Sequence, residues 1–187
     1  HPDAKAHVPL INWSYRGRLP PFKGAEFADM APPPGYTRVG RPVRNGSGEI
    51  QVDILKRTSD GALIIVPRGT TPADPRSVSA NTMLPSVAQL GGAPLDEVMS
   101  YIREASGTIE IVGHSQGGAH AFAIANTEIG DNDALKTRLS VTTYNSAPMG
   151  QYSSEVEARI GALTTNYRSV WSNAGLDPSG YRYGDLI

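Results

Sequence analysis

Ser115 is the residue whose neighbours best suit it to act as a nucleophile. It lies in Gly113-His114-Ser115-Gln116-Gly117-Gly118, after the apolar run Thr108-Ile109-Glu110-Ile111-Val112 and before the small-residue stretch Ala119-His120-Ala121-Phe122-Ala123-Ile124-Ala125. The pattern G-x-S-x-G between a strand and a helix puts a serine on a sharp turn with its hydroxyl exposed. Glycines at 113 and 117 carry no Cβ, so strand and helix can approach closely around that turn. The backbone N–H of Gln116 opens the helix, where unpaired donors and the helix dipole favour a developing oxyanion. The chemistry expected of such a serine is acyl transfer. The bland alternative is an ordinary glycine-rich turn with a solvent-facing serine. The flanking strand, the extra Gly118 and the small-residue helix favour the catalytic reading.

A second stretch could serve the same oxyanion. Pro67-Arg68-Gly69-Thr70-Thr71-Pro72 follows Ala62-Leu63-Ile64-Ile65-Val66, a continuous apolar run typical of a strand buried on both faces. Loops at the C-terminal ends of such strands are where α/β sheets bind ligands. Thr70 can offer its backbone N–H and its hydroxyl there.

Other elements must hold these two loops in place. Tyr36–Val43 is a weak strand candidate, and Glu49–Lys56 alternates polar and apolar as a half-buried strand does. Asn45-Gly46-Ser47-Gly48 and Ser59-Asp60-Gly61 supply the turns of a small antiparallel meander. Pro94–Glu104 reads as a helix, with Pro and acids at its start and Leu95, Val98, Met99 and Ile102 on one stripe. Leu139–Asn145 is the next strand, residues 153–163 suit a helix, and Tyr167–Asn173 is the last strand, leading into Gly175-Leu176-Asp177-Pro178-Ser179-Gly180. The second half alternates β and α, which argues for a largely parallel sheet with helices on both faces, an α/β class, joined to an antiparallel N-terminal strand region. Residues 1–35 have little period. They read as an irregular arm, with a short helix near Gly24–Met30 and Trp13, Tyr15, Phe22 and Phe27 as core anchors. Residues 36–187 form the domain proper, within which 73–92 read as a short helix or a cover over the site.

Composition narrows the partners. A chain of 187 residues suits one domain with a real core. Its net charge of -1 gives no reason to expect a nucleic-acid partner. It has no cysteine, which excludes a disulfide framework, a cysteine nucleophile and a thiolate metal site. No apolar stretch approaches membrane-spanning length. Gly130-Asp131-Asn132-Asp133 lacks the spacing of a helix–loop–helix calcium site and reads as a solvated turn. The start, His1-Pro2-Asp3-Ala4-Lys5, has neither initiator Met nor a signal-peptide pattern, as expected of a trimmed, processed or partial chain.

Four segments together resemble the class 3 lipases, a branch of the α/β-hydrolases. They are Ile64–Thr70 with its R-G-T end, Ile111–Gly118 as the nucleophile elbow, Val141–Pro148 as the following strand and turn, and Ser169–Pro178 as the strand delivering an acid. Pro33-Pro34-Gly35-Tyr36 also resembles the lead-in of some bacterial lipase-like effectors. The lipase analogy and the absence of Cys leave the compartment open, with secretion or delivery into another cell as the expectation. The resemblance implies Ser115 as nucleophile, Asp177 as the acid of the triad, and Thr70 with Gln116 as the oxyanion hole. It implies lipid-ester substrates, glycerides or phospholipids, and no metal or organic cofactor. The family order is Ser, Asp, His, yet no histidine follows Asp177. The histidines are His1, His7, His114 and His120; His114 should pack behind the nucleophile and His120 inside the helix. The base then comes from His1 or His7 on the arm, from another chain, or from a missing segment of a longer protein, which is the simplest expectation. The rival reading is a hydrolase-fold binding or scaffold protein without a working base. Asp177 has a rival too, as a turn residue in Asp-Pro-Ser-Gly.

Overall fold

The computed structural model describes residues 2–18, 29–45, 50–70, 90–129, 132–146 and 154–167. Helix α1 (Pro2–Ser14) comes first, then strands β1 (Tyr36–Arg38), β2 (Val43–Arg44), β3 (Gln51–Arg57) and β4 (Leu63–Pro67). Next are α2 (Ala93–Glu104), β5 (Ile109–His114), α3 (Gln116–Ile129), the short α4 (Asp133–Lys136), β6 (Leu139–Tyr144), α5 (Ser154–Gly161) and β7 (Thr164–Tyr167). The strands make one seven-stranded sheet, ordered β1-β3-β4-β5-β6-β7 with β2 also paired to β3. Strand β3 is antiparallel to β1, β2 and β4, while β4, β5, β6 and β7 run parallel. This is the meander joined to a parallel half that the residue pattern implies.

Period two in the strands divides the core between two faces. Ile65 and Ile111 face Met99, Ile102 and Phe122 of α2 and α3. Their neighbours Ile64 and Val112 face Leu10 and Trp13 of α1. Burial on both sides is why β4 has no alternation to read. The β3–β4 turn is fixed by Asp60, whose carboxylate accepts from Ala62 N–H at 3.1 Å, and by Gly61 at φ 74°. Helix α2 has Pro94 and Asp96 in its first turn and Arg103 in its last, and buries Val98, Met99 and Ile102.

Three expectations change. Residues 2–14 are helical rather than irregular. The buried stripe of α1 is His7, Leu10, Ile11 and Ser14, with Trp13 beside it. That is i, i+3, i+4, i+7 spacing, but two of its four members are polar, so hydrophobicity alone does not reveal it. Pro9 sits inside the helix on its exposed side. Tyr36–Val43 is not one strand: Gly40 at φ 70° separates β1 from β2. The last described strand is Thr164–Tyr167, three residues ahead of the expected start. Phe22 and Phe27, most of the helix expected near Gly24–Met30, nearly all of 73–92, and everything from 168 onward, Asp177 included, lie outside the described residues.

Candidate active site

Strand β5 ends at His114 and α3 begins at Gln116, so Ser115 alone forms the turn. Its φ is 55°. The left-handed region brings Cβ against the following carbonyl and costs a non-glycine residue roughly 1–2 kcal/mol. Two backbone bonds hold the turn: Ser115 N–H donates to Tyr144 O and Gly118 N–H donates to Ser115 O, each at 2.9 Å. The flanking glycines are required by space. A Cβ on Gly113 would strike the Gly117 carbonyl and stand 2.7 Å from the Gly118 nitrogen. A Cβ on Gly117 would strike the Pro67 carbonyl and stand 3.0 Å from the Gly69 nitrogen. The first turn of α3 therefore rests directly on the backbone leaving β4.

That backbone is Arg68-Gly69-Thr70. Thr70 is half-buried, and its hydroxyl donates to Oε1 of Gln116 at 2.9 Å. The R-G-T turn and the elbow, distant in sequence, are thus joined by a side-chain bond beyond the ends of adjacent parallel strands. Arg68 points back into the protein, where its guanidinium donates to Gln51 Oε1 at 3.2 Å. Burial is the main cause that lowers its pKa, with Arg18 adding to the effect and Asp53 opposing it, to about 10, so it stays charged at neutral pH. Arg16 donates twice to the fully buried Asp53, at 3.0 and 2.6 Å, and Gln51 Nε2 donates to the same carboxylate at 2.9 Å. The Arg16 guanidinium also lies 3.6 Å over the Trp13 ring. This buried network ties the end of α1 to β3 and, through Gln51, to the base of the R-G-T turn.

Tyr15 occupies the space between the ends of β4 and β5. Its hydroxyl is 3.1 Å from His114 Nδ1, and a Cβ on Gly69 would strike that same hydroxyl. Burial holds the His114 pKa below its ordinary value, favouring the neutral ring. His114 thus packs behind the elbow, as expected.

The arm histidine corrects one expectation. His7 does not swing toward Ser115: its Nδ1 is 2.8 Å from the Tyr144 hydroxyl and its Nε2 is 2.7 Å from Glu110 Oε1. Arg57 holds the other oxygen of Glu110 at 3.0 Å. Both ring nitrogens of His7 are engaged, and the ring is buried as part of the α1–sheet contact. His120 is also buried, at 1 % exposure, in α3. The structure therefore brings Ser115, Gln116 and Thr70 together, while Asp177 and His1 lie outside the described residues.

Sequence reasoning overlooked Asn145, which has φ 48° at the end of β6 and donates its N–H to Tyr167 O at 2.7 Å. The available signal was its residue type, since asparagine enters the left-handed region more readily than most. Among the described residues, no group of three or more His, Cys, Asp or Glu gathers as a metal site requires. In the stretch read as a solvated turn, Asn132 caps α4, accepting from Leu135 N–H at 3.2 Å.

A mixed, mostly parallel sheet with helices on both faces, and a serine on a left-handed turn between an interior strand and a helix, define an α/β-hydrolase-like fold. Solved structures similar to it include fungal lipases. A deletion mutant of Rhizomucor miehei lipase, in complex with its propeptide, superposes with a TM-score of 0.60 at 15% identity, covering 88% of this chain and 58% of that one. Lipase II from Rhizopus niveus gives a TM-score of 0.61 at 14% identity, covering 89% and 70%. A triacylglycerol lipase from Penicillium expansum gives 0.52 at 18% identity, covering 89% and 67%. The likeness is one of fold, and the chain spans little more than half of the R. miehei propeptide-complex chain. No family model and no curated protein matches the sequence. Among the described residues, no helix is long and apolar enough to cross a membrane.

Proposed function

We propose that this chain is a serine ester hydrolase of lipase type, cleaving acyl-lipid esters through an acyl-enzyme on Ser115. The observation that carries the reading is the left-handed Ser115 turn, with the helix N-terminus on one side and the Thr70 turn bonded to it on the other. The Ser115 oxygen attacks the ester carbonyl while a base takes its proton. The backbone N–H groups of Gln116 and Thr70 stabilise the oxyanion. The alcohol leaves with that proton, and water then releases the acid from Ser115. Asp177 orients the base, an imidazole supplied by His1, by another chain or by a segment outside this sequence. Secretion or delivery as an effector is a further reading that rests on the lipase analogy, the absence of cysteine and the Pro33–Tyr36 resemblance.

The engagement of His7 and the burial of His120 favour a second reading for this chain taken alone, a hydrolase-fold lipid-binding scaffold. Intact mass after exposure to a fluorophosphonate decides between them, run on the chain and on the longest available parent, with Ser115→Ala as control. Labelling abolished by Ser115→Ala, with ester turnover, supports the hydrolase. Lipid binding with no labelling in either form refutes it in favour of the scaffold.

A further inference from the structure

The Thr70–Gln116 side-chain bond joins two groups that the proposed mechanism uses only through their backbones. A threonine hydroxyl on a turn ordinarily chooses among staggered rotamers unless a partner selects one. Here the selecting partner belongs to the elbow itself. The Gln116 side chain is on the first residue of α3, a residue only 5 % exposed, and its carboxamide oxygen accepts from the Thr70 hydroxyl at 2.9 Å. The α3 backbone cannot drift from the Thr70 turn, because Gly117 already lies against Pro67 and Gly69. Behind the turn, Arg68 N–H donates to Gln51 O at 2.9 Å, and its guanidinium reaches the Gln51 side chain. The turn is thus gripped from both ends by the β3–β4–α3 frame.

We infer that the Gln116 carboxamide is a positioning residue: by selecting the Thr70 rotamer it holds the Thr70 turn against the elbow in the arrangement the oxyanion pocket needs. The inference rests on the hydrolase reading and adds a residue to the proposed machinery. A preorganised pocket adds no reorganisation to the barrier.

The test is a double-mutant cycle of Gln116→Met and Thr70→Val, which remove acceptor and donor with little change of volume. The readout is the second-order rate of Ser115 labelling by a fluorophosphonate in detergent-free buffer, on protein shown to be folded. The parent chain or complex that labels is used, together with kcat and KM on a short-chain soluble ester. The expected result is about a fivefold fall in labelling rate for Gln116→Met, the scale of one ordinary hydrogen bond. The fall is expected in kcat with KM unchanged, and the double variant should be no slower than Thr70→Val alone. Additive losses, or a loss confined to KM, would overturn the inference. If wild type is not labelled in any form, the hydrolase reading fails, and the positioning role is then decided by amide exchange at Gly69 and Thr70. Faster exchange in Gln116→Met supports it, and unchanged exchange refutes it.

Discussion

Replacing Ser115 by glycine should stabilise the protein relative to replacing it by alanine, although both changes remove the nucleophile. Alanine keeps the Cβ at φ 55°, whereas glycine relieves it. The relief is worth roughly 1–2 kcal/mol. Glycine also gives the unfolded chain more freedom, which offsets about 0.4–1 kcal/mol of that. The net expectation is that Ser115→Gly is more stable than Ser115→Ala by about 0.8 kcal/mol, or roughly 2–3 °C in Tm for a domain of this size. Because both variants lack the hydroxyl, its own contacts cancel from the comparison. Urea unfolding followed by circular dichroism measures it, as a midpoint difference of about 0.3 M with unchanged slope. Equal stability, or a more stable alanine variant, would show that the elbow stores no backbone strain and would remove the physical basis for reading the turn as specialised. At other strand–helix turns with negative φ, the same exchange should favour alanine.

Gly117→Ala should destabilise the fold by about 3 kcal/mol, the upper end of ordinary overpacking, because its Cβ meets β4 backbone rather than a yielding side chain; a loss under about 0.5 kcal/mol by chemical denaturation would mean that the contact is loose. Arg16→Met leaves Asp53 buried without its cation and should cost about 3–5 kcal/mol, while Arg16→Met with Asp53→Leu should recover most of it; an equally damaged double variant would refute that account. Acid should weaken the fold in two stages. The His114 pKa lies below its ordinary 6.5, so the unfolded chain takes up the proton first, and the stability present above that value falls away as pH drops through the folded pKa. Burial raises the Glu110 pKa, but the hydrogen bond and charge of His7, together with Arg57, outweigh it and leave it below the ordinary 4.5; its contribution is present above 4.5 and lost as pH falls through the lowered folded value. Tm profiles of wild type and His114→Asn that superimpose between about pH 5 and 7 would contradict the first stage.

The parts of the fold that were legible are those in which local chemistry and tertiary role agree. The elbow announces itself because both glycines that close packing demands, Gly113 against Gly117 and Gly117 against the backbone leaving β4, fall in one short G-x-S-x-G spacing, and β4 because burial on both faces forces an unbroken apolar run. Helix α2 shows its stripe because every residue on it is apolar. Helix α1 was hidden because His7 and Ser14 occupy buried positions, and the His7 partner Tyr144 lies far along the chain. The Arg16–Asp53 pair was hidden for the same reason: charge in a sequence reads as surface until its counter-ion is known. At the site, Ser115, Gln116 and Thr70 were nameable from spacing, but the Thr70–Gln116 bond was not, since it spans 46 positions and depends on β4 and β5 being neighbours.

The contacts of α1 also impose an order in time. Its anchor through Tyr15 to His114 closes a span of 99 residues and its anchor to Tyr144 a span of 137, whereas β3 and β4 meet across a turn of a few residues. Closing long spans carries the larger entropic penalty and is rewarded only when both ends are already shaped. Helix α1 leaves the ribosome before every strand it packs on, yet it seats only after them, and it exposes Leu10 and Trp13 until β4 and β5 have been made. Pulse-labelled exchange during refolding should show β3–β4 amides protected before those of α1, and a nascent chain stopped short of β5 should remain open to proteolysis within α1.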